Sequence, residues 1–271
     1  ARPAAPRGWM PPLAELLGVG RQIDPSVSEW LADLDRDRAS WRHEALRIEG
    51  ATADLLRHLG FGGEVRLFGS AASGFYSSTS DVDLVFLTGR DGAQSLEVLQ
   101  SVKAYLESMG ACYNLTTVFK TRAPLLKLTD ATGIEVDMQV DNTLGMRNTA
   151  LFAAYHRIGG PRVDTMVRVV KEWARRCGLI GTVDGLLNSY AWTLMAVYYL
   201  QVVGSLPNLQ ALAAERGLEP VMVEGADTRF AELELGEFVP ESAAAIASSG
   251  ALVCGFFHFY ASDFDWRTCA V

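Results

Sequence analysis

The chain has 271 residues, 49% hydrophobic and 21% charged, with a formal net charge of −8. That composition is ordinary for a globular protein and excludes wholesale disorder, collagen and coiled-coil rods, and the length is comfortable for two domains. An acidic chain gets no long-range help with polyanions, so broad, tight duplex binding is disfavoured while a local basic groove stays open.

In chain order, the first acid is Glu15, preceded by Arg2 and Arg7 in an Ala/Pro-rich stretch. Arg-bearing, acid-poor composition suits the remnant of an organelle-targeting segment; the prolines speak against an amphipathic transit helix, and an ordinary terminus is the other reading. Residues 10–20 read as a short helix ended by Gly18 and Gly20. From Ser26 to Leu59, Val27, Trp30, Leu31, Leu34, Trp41, Ala45, Ile48, Leu55 and Leu59 follow helical spacing, closed by Gly60, Gly62 and Gly63. The period then changes. Glu64–Phe68, Val82–Leu87, Cys112–Phe119, Leu125–Leu128 and Ile134–Val140 read as strands, with a helix over Ala93–Met109 and a hairpin turn at residues 129–133. Helices follow at 146–157, 162–177, 189–203, 207–216 and 242–261, and the acidic stretch 217–241 reads as a solvated, irregular surface.

The expected fold class is α+β: a small mixed-sheet domain inserted in a mainly helical one, with a cleft between them. The expected boundaries are 1–59 for N-terminal helices packing on the helical domain, 60–142 for the sheet domain and 143–271 for the helical domain. The longest apolar run, Ala191–Leu200, falls short of the roughly 18 residues of a membrane span, so no membrane partner is expected. Cys112, Cys177, Cys254 and Cys269 are widely separated and form no CxxC. Together with four scattered histidines, that argues against a zinc site or disulfide framework and for a reducing compartment.

The chemistry is concentrated in Leu67-Phe68-Gly69-Ser70, a ten-residue spacer, and Asp81-Val82-Asp83-Leu84-Val85-Phe86. A strand ending at glycine lets the backbone approach a ligand, and Ser70 follows with a hydroxyl and a backbone N–H. Asp81 and Asp83, two apart on a strand, share a face, with Cα atoms roughly 6.5–7 Å apart. Two adjacent carboxylates repel unless a cation lies between them, and a Mg²⁺ pair is the usual solution in nucleotidyl transfer. A third carboxylate is expected on a neighbouring strand. In Glu135-Val136-Asp137-Met138-Gln139, the central Asp137 is the choice and Glu135, on the same face, the alternative.

Three later segments extend the pattern. They are Val169-Val170-Lys171-Glu172-Trp173-Ala174-Arg175-Arg176, Leu187-Asn188-Ser189-Tyr190-Ala191-Trp192, and Phe256-Phe257-His258-Phe259-Tyr260 running on to Phe264-Asp265-Trp266. With these, about residues 65–266 resemble the DNA-polymerase-β-type nucleotidyltransferases. The likeness is strongest to the RNA 3′-terminal uridylyltransferases and their cytoplasmic poly(A) polymerase relatives. The compact spacing from Asp83 to Asp137 is similar to that of minimal mitochondrial uridylyltransferases of trypanosomatids, including one associated with an editosome-like complex.

The resemblance implies template-independent addition of UMP from UTP to a single-stranded RNA 3′ end, releasing pyrophosphate. It implies Asp81, Asp83 and Asp137 as catalytic residues and ligands of Mg²⁺, with Mn²⁺ as a substitute. Phe68, Gly69, Ser70, Ser80, Gly145, Asn148, Thr149, Lys171, Arg175, Ser189 and Tyr190 are implied as nucleotide-binding, with Lys171 and Arg175 on the triphosphate, Asn148 at the ribose 2′-hydroxyl and Tyr190 stacked on the base. It further implies a mitochondrial setting (otherwise cytoplasmic) and an RNA-processing or editing complex as partner. The family's base-reading loop follows the Phe-Asp-Trp segment, beyond the sequence in hand, so uracil over adenine rests on overall likeness. A poly(A) polymerase-like adenylyltransferase and a catalytically inactive scaffold are the alternatives.

Overall fold

The computed structural model describes residues 13–89, 95–110, 112–119, 123–181, 185–234, 236–240 and 247–268, with side chains from residue 18 onward. The Arg2/Arg7 stretch, the start of the 242–261 helix and Cys269 lie wholly or partly outside them. The chain forms two compact units. One comprises residues 35–153 and 222–228; the other comprises 1–34, 154–221 and 229–271.

The first unit is built on a five-stranded sheet in the order β1-β2-β5-β4-β3. The strands are β1 Glu64–Leu67, β2 Val82–Leu87, β3 Tyr113–Val118, β4 Leu125–Thr129 and β5 Glu135–Val140. Only β2 and β5 run parallel; the other neighbours are antiparallel, so the sheet is mixed, as expected. Alternation sets its two faces. Val82, Leu84, Phe86, Val136, Met138 and Val140 are buried and cluster with Val98, Leu99 and Val102 of α4 (Ser95–Met109). Asp83, Asp137 and Gln139 lie on the other face, which also carries the fully buried Val85.

Two expectations about the N-terminal helices are corrected. The first helix does not stop at Gly18 or Gly20; α1 runs from Leu13 to Asp35. Gly20 instead permits a close helix crossing, since a Cβ there would fall 2.7 Å from the Ala251 Cβ. The long 26–59 pattern is two helices. A break at residues 36–37 separates α1 from α2, Arg38–His58. Val27 of α1 packs with Val169 and Val253 in the helical unit. In contrast, Trp41, Ala45, Ile48 and Leu56 of α2 join the core of the sheet. The apolar stripe of α2 therefore covers strands rather than helices, and the boundary expected at residue 59 falls near 35.

α5 runs from Thr143 to Arg176 with non-helical geometry at Gly160 (φ 59°), matching the two expected helices. Pro161 then opens the second half, where its missing N–H costs nothing. α6 is Ser189–Val202, α7 is Leu209–Glu215 and α8 is Ser249–His258, followed by a π turn over Phe259–Asp263. In the helical unit Tyr199, Phe256, Phe259, Tyr260, Phe264 and Trp266 form a chain of edge-on and tilted rings. His258, at the same helical spacing, is exposed and lies 3.5 Å from Asp263 Oδ2 rather than among the rings. The acidic stretch contains a two-residue hairpin of β6 (Met222–Val223) and β7 (Ala226–Asp227), turned by Glu224 and Gly225, both at positive φ.

Candidate active site

The register of β2 and β5 gathers the carboxylates. Asp83 is the direct partner of Asp137 across the parallel pair. Asp81 lies one residue before β2 and is exposed, while Asp83 and Asp137 are half-buried. Val82 and Leu84 on the opposite face are 0% and 1% exposed, so a one-residue slip would place carboxylates in the core.

Gly69 stands against this pair. Its φ is +61°, and a Cβ would lie 2.1 Å from Asp83 Oδ2. The Phe68 N–H donates to the Asp83 carbonyl at 3.0 Å. The glycine is thus required by the backbone's approach to the Asp83 side chain. Ser70 follows in α3, Gly69–Ser73. Ser80 Oγ accepts from the Ser77 N–H at 2.9 Å and closes the turn before Asp81.

Thr149 of α5 is 8% exposed. Its Oγ1 accepts from the Gly69 N–H and donates to the Gly145 carbonyl, both at 2.9 Å, so Thr149 ties the glycine turn to α5. Gly145 N–H donates to Asn142 Oδ1 at 2.8 Å, an N-cap bond. A Cβ on Gly145 would fall 2.5 Å from Asn142 Nδ2. Asn148, one turn on, is partly exposed.

Two sets of residues escaped sequence reasoning. The first is a brace on the turn that carries Ser70 and Ser80. Arg38, Trp41 and Arg42 share one face of α2. Arg38 donates to the Gly74 carbonyl (2.8 Å), Arg42 to the Ala71 carbonyl (3.1 Å) and Trp41 Nε1 to the Ser80 carbonyl (2.8 Å). Trp41 stacks on Tyr76 at 4.9 Å, and the Arg38 guanidinium lies 4.4 Å from the same ring centroid. The i, i+3, i+4 spacing was visible, but its target was not.

The second is Lys127 of β4, the register partner of Asp137, whose Nζ lies 2.6 Å from Asp137 Oδ2. Burial pushes the ammonium's pKa down, but Asp137, then Asp81 and Glu135, outweigh that and hold it above the usual lysine range. A lone charge among leucines was the available signal.

These three aspartates offer the hard oxygen donors that Mg²⁺ takes. The local field already favours a cation, as Lys127 shows. Among the described residues no three acidic, histidine or cysteine side chains close into a ready-made cage, so further oxygen ligands would complete the coordination. The chemistry of the donor set fits the ion.

The remaining expected residues lie in the helical unit. Lys171 is partly exposed on α5. Arg175, one turn on, forks onto Glu172 with bonds of 2.8 and 2.7 Å, and Arg176 adds a third at 2.6 Å. The Glu172 side chain is only 4% exposed. Burial pushes its carboxyl up, but hydrogen bonds from Arg175 and Arg176 prevail and leave it below the usual range. Ser189 and Tyr190 open α6, capped by Asn188 Oδ1, which accepts from the Ala191 N–H at 2.8 Å. Tyr190 is 38% exposed.

A cavity of about 160 Å³ lies on the opposite, apolar side of the sheet, lined by residues such as Ile48, Leu84, Val102 and Met138.

Residues 45–157, which hold all three aspartates, match the family model described as the central palm domain of mitochondrial-like poly(A) RNA polymerase. The chain has the fold of the DNA-polymerase-β-type nucleotidyltransferases, and the proteins it matches are terminal uridylyltransferases and poly(A) RNA polymerases. It is 30% identical over 211 residues to terminal uridylyltransferase cid1 of Schizosaccharomyces pombe, covering 75% of this chain and 50% of that protein. Against human terminal uridylyltransferase 7 it is 29% identical over 215 residues, covering 76% and 14%. Against mouse poly(A) RNA polymerase GLD2 it is 28% identical over 214 residues, covering 74% and 43%. The chain thus spans half or less of the length of these relatives. The solved structure of Cid1 poly(U) polymerase with MgGTP bound superimposes with a TM-score of 0.70 at 28% identity, covering 84% of this chain and 70% of that one. The sheet unit is the part of the chain that matches the palm.

Proposed function

We propose that the chain is a template-independent RNA 3′-terminal uridylyltransferase, adding UMP from UTP to single-stranded RNA and releasing pyrophosphate. The observation that carries this reading is the in-register Asp83–Asp137 pair with Gly69 packed against Asp83. A scaffold gains nothing from clustered carboxylates, which argues for chemistry.

In this reading Asp81, Asp83 and Asp137 hold Mg²⁺, which when bound supplies activation of the primer hydroxyl and neutralises charge on the leaving pyrophosphate. The Phe68–Ser70 turn and Ser80 flank the phosphates, with their geometry set by Thr149 and the α2 brace. Lys171, Arg175 and Ser189 add cationic and hydroxyl contacts to the triphosphate. Tyr190 stacks on the base, and Asn148 reads the 2′-hydroxyl, which only a ribonucleotide has. Mn²⁺ as a substitute, a mitochondrial setting and an RNA-processing or editing complex belong to this proposal. The net charge of −8 supports reliance on a partner for RNA affinity.

Adenylyl transfer is the second reading, favoured by the GLD2 likeness. Extension of a labelled oligonucleotide with each of the four ribonucleotides and Mg²⁺ separates the two. Preferential UMP addition, lost in Asp83→Asn, is expected; preference for AMP replaces the substrate, and extension by Asp83→Asn at the wild-type rate overturns the site.

A further inference from the structure

Two carboxylates opposed on neighbouring parallel strands, with a third just beyond the strand end, repel one another in the absence of a cation. Lys127 answers that repulsion from within the fold. It enters from the strand on the other side of β5, opposite Asp137. Its ammonium sits 2.6 Å from Asp137 Oδ2, and Asp81 and Glu135 act on the same charge. The two ends of the pair differ in freedom. The Asp137 side chain is 18% exposed and fixed on its strand, whereas the Lys127 side chain is 44% exposed on a flexible stem. A divalent cation that takes Oδ2 therefore meets an ammonium already bound there, and the ammonium has solvent to move into.

We propose that Lys127 is the built-in counter-ion of the carboxylate site: it holds Asp137 while no metal is present and yields Oδ2 to the metal on binding. The inference rests on reading Asp81, Asp83 and Asp137 as a metal site. Lys127 is then a positioning residue that keeps the acidic strand ends together between turnovers, and it sets a threshold of metal concentration for loading.

The test is Mn²⁺ binding to the nucleotide-free full chain, read by calorimetry or by the paramagnetic resonance of free Mn²⁺. Lys127→Met removes the competitor, and Mn²⁺ affinity is expected to rise about three- to tenfold, the range of a half-exposed ion pair. Lys127→Arg keeps the charge and is expected to bind as the wild type does. Lys103→Met, which removes a charge paired with Glu107 on α4, is expected to change nothing. In an Asp137→Asn background, Lys127→Met is expected to lose its effect, because the shared oxygen is gone. The melting temperature of Lys127→Met without metal is expected to fall and to be raised by Mg²⁺ more than the wild type's is. Lys127→Gln, closer in polarity, repeats the binding measurement should the methionine variant fold poorly. Unchanged or weaker Mn²⁺ binding in folded Lys127→Met or Lys127→Gln overturns the proposal, as does the same gain in the Asp137→Asn background. If wild type and Asp83→Asn bind Mn²⁺ equally, the metal-site reading falls and takes this inference with it. If binding depends on Asp83 but not on Lys127, this inference alone falls.

Discussion

In the palm, one ammonium bonds Asp137 and lies in the field of Asp81 and Glu135; at the end of α5, two guanidiniums share one carboxylate. The Lys127–Asp137 pair joins a 44% exposed cation to an 18% exposed acid through a single 2.6 Å contact. The Glu172 cluster joins a 4% exposed acid to cations that are 49% and 51% exposed, through three bonds. A charge that is nearly buried must stay paired, because nothing else replaces its hydration. A charge that water can reach can exchange partners cheaply. The first cluster is thus built to give up its cation, while the second is built to keep its acid and to present two guanidiniums at a helix C-terminus, where positive charge is favoured.

The largest expected effect is on the palm side. Asp83→Asn removes a charged oxygen donor without changing shape. Nucleotide addition is expected to fall by about 10³-fold or more, the rate equivalent of several kcal/mol of lost charge stabilisation, while urea unfolding is little changed. Loss of stability without loss of rate would reverse the comparison, making the palm cluster the structural one.

Next comes Glu172→Gln, where the effect is expected in stability. The cost is about 1–3 kcal/mol at neutral pH, measured by urea denaturation. The Glu172 carboxyl is held below its ordinary range in the folded state. Its contribution is therefore present above the unfolded carboxyl's pKa and lost as pH falls through the folded one. The wild-type and Glu172→Gln stability curves should converge in acid and separate as pH rises. Parallel curves would show that the arginines do not act on the ionised form.

Arg175→Lys is expected to cost less, about 0.5–1 kcal/mol, because half the guanidinium is in water and Arg176 keeps its bond to Glu172. A single ammonium cannot reproduce the fork, so the same variant should raise the KM for UTP more than it lowers kcat. A kcat loss with KM unchanged would remove Arg175 from the triphosphate. The baseline is Arg57→Ala, which breaks a pair with Asp54 that is exposed on both sides and is expected to change stability by less than about 0.5 kcal/mol.

Much of the palm was legible because its strands alternate. Val82, Leu84 and Phe86 against Asp81 and Asp83 specify a face, and Val136, Met138 and Val140 against Asp137 specify the matching one. Period-2 patterning is a local signal that the fold then uses. Boundaries between helices were less legible. The apolar stripe runs on from α1 into α2, and periodicity alone reports that a residue is covered, not by what. Trp41 shows the same limit: its helical position was plain, but its hydrogen bond to the Ser80 carbonyl, 39 residues away, is a matter of tertiary approach.

The sequence by itself determined the sheet's polarity, the order of its elements, the break at Gly160-Pro161 and the identity of the acidic residues, because each depends on neighbours within a few positions. The tertiary structure alone decided which strand lies beside which. That choice placed Asp137 opposite Asp83 on one side and opposite Lys127 on the other. It also turned Gly69 from a point of ligand approach into the only shape that fits beside Asp83, and it committed Arg175 to Glu172. Strand order and side-chain partners are settled by burying the apolar face of the whole sheet at once, a long-range condition that no local pattern encodes.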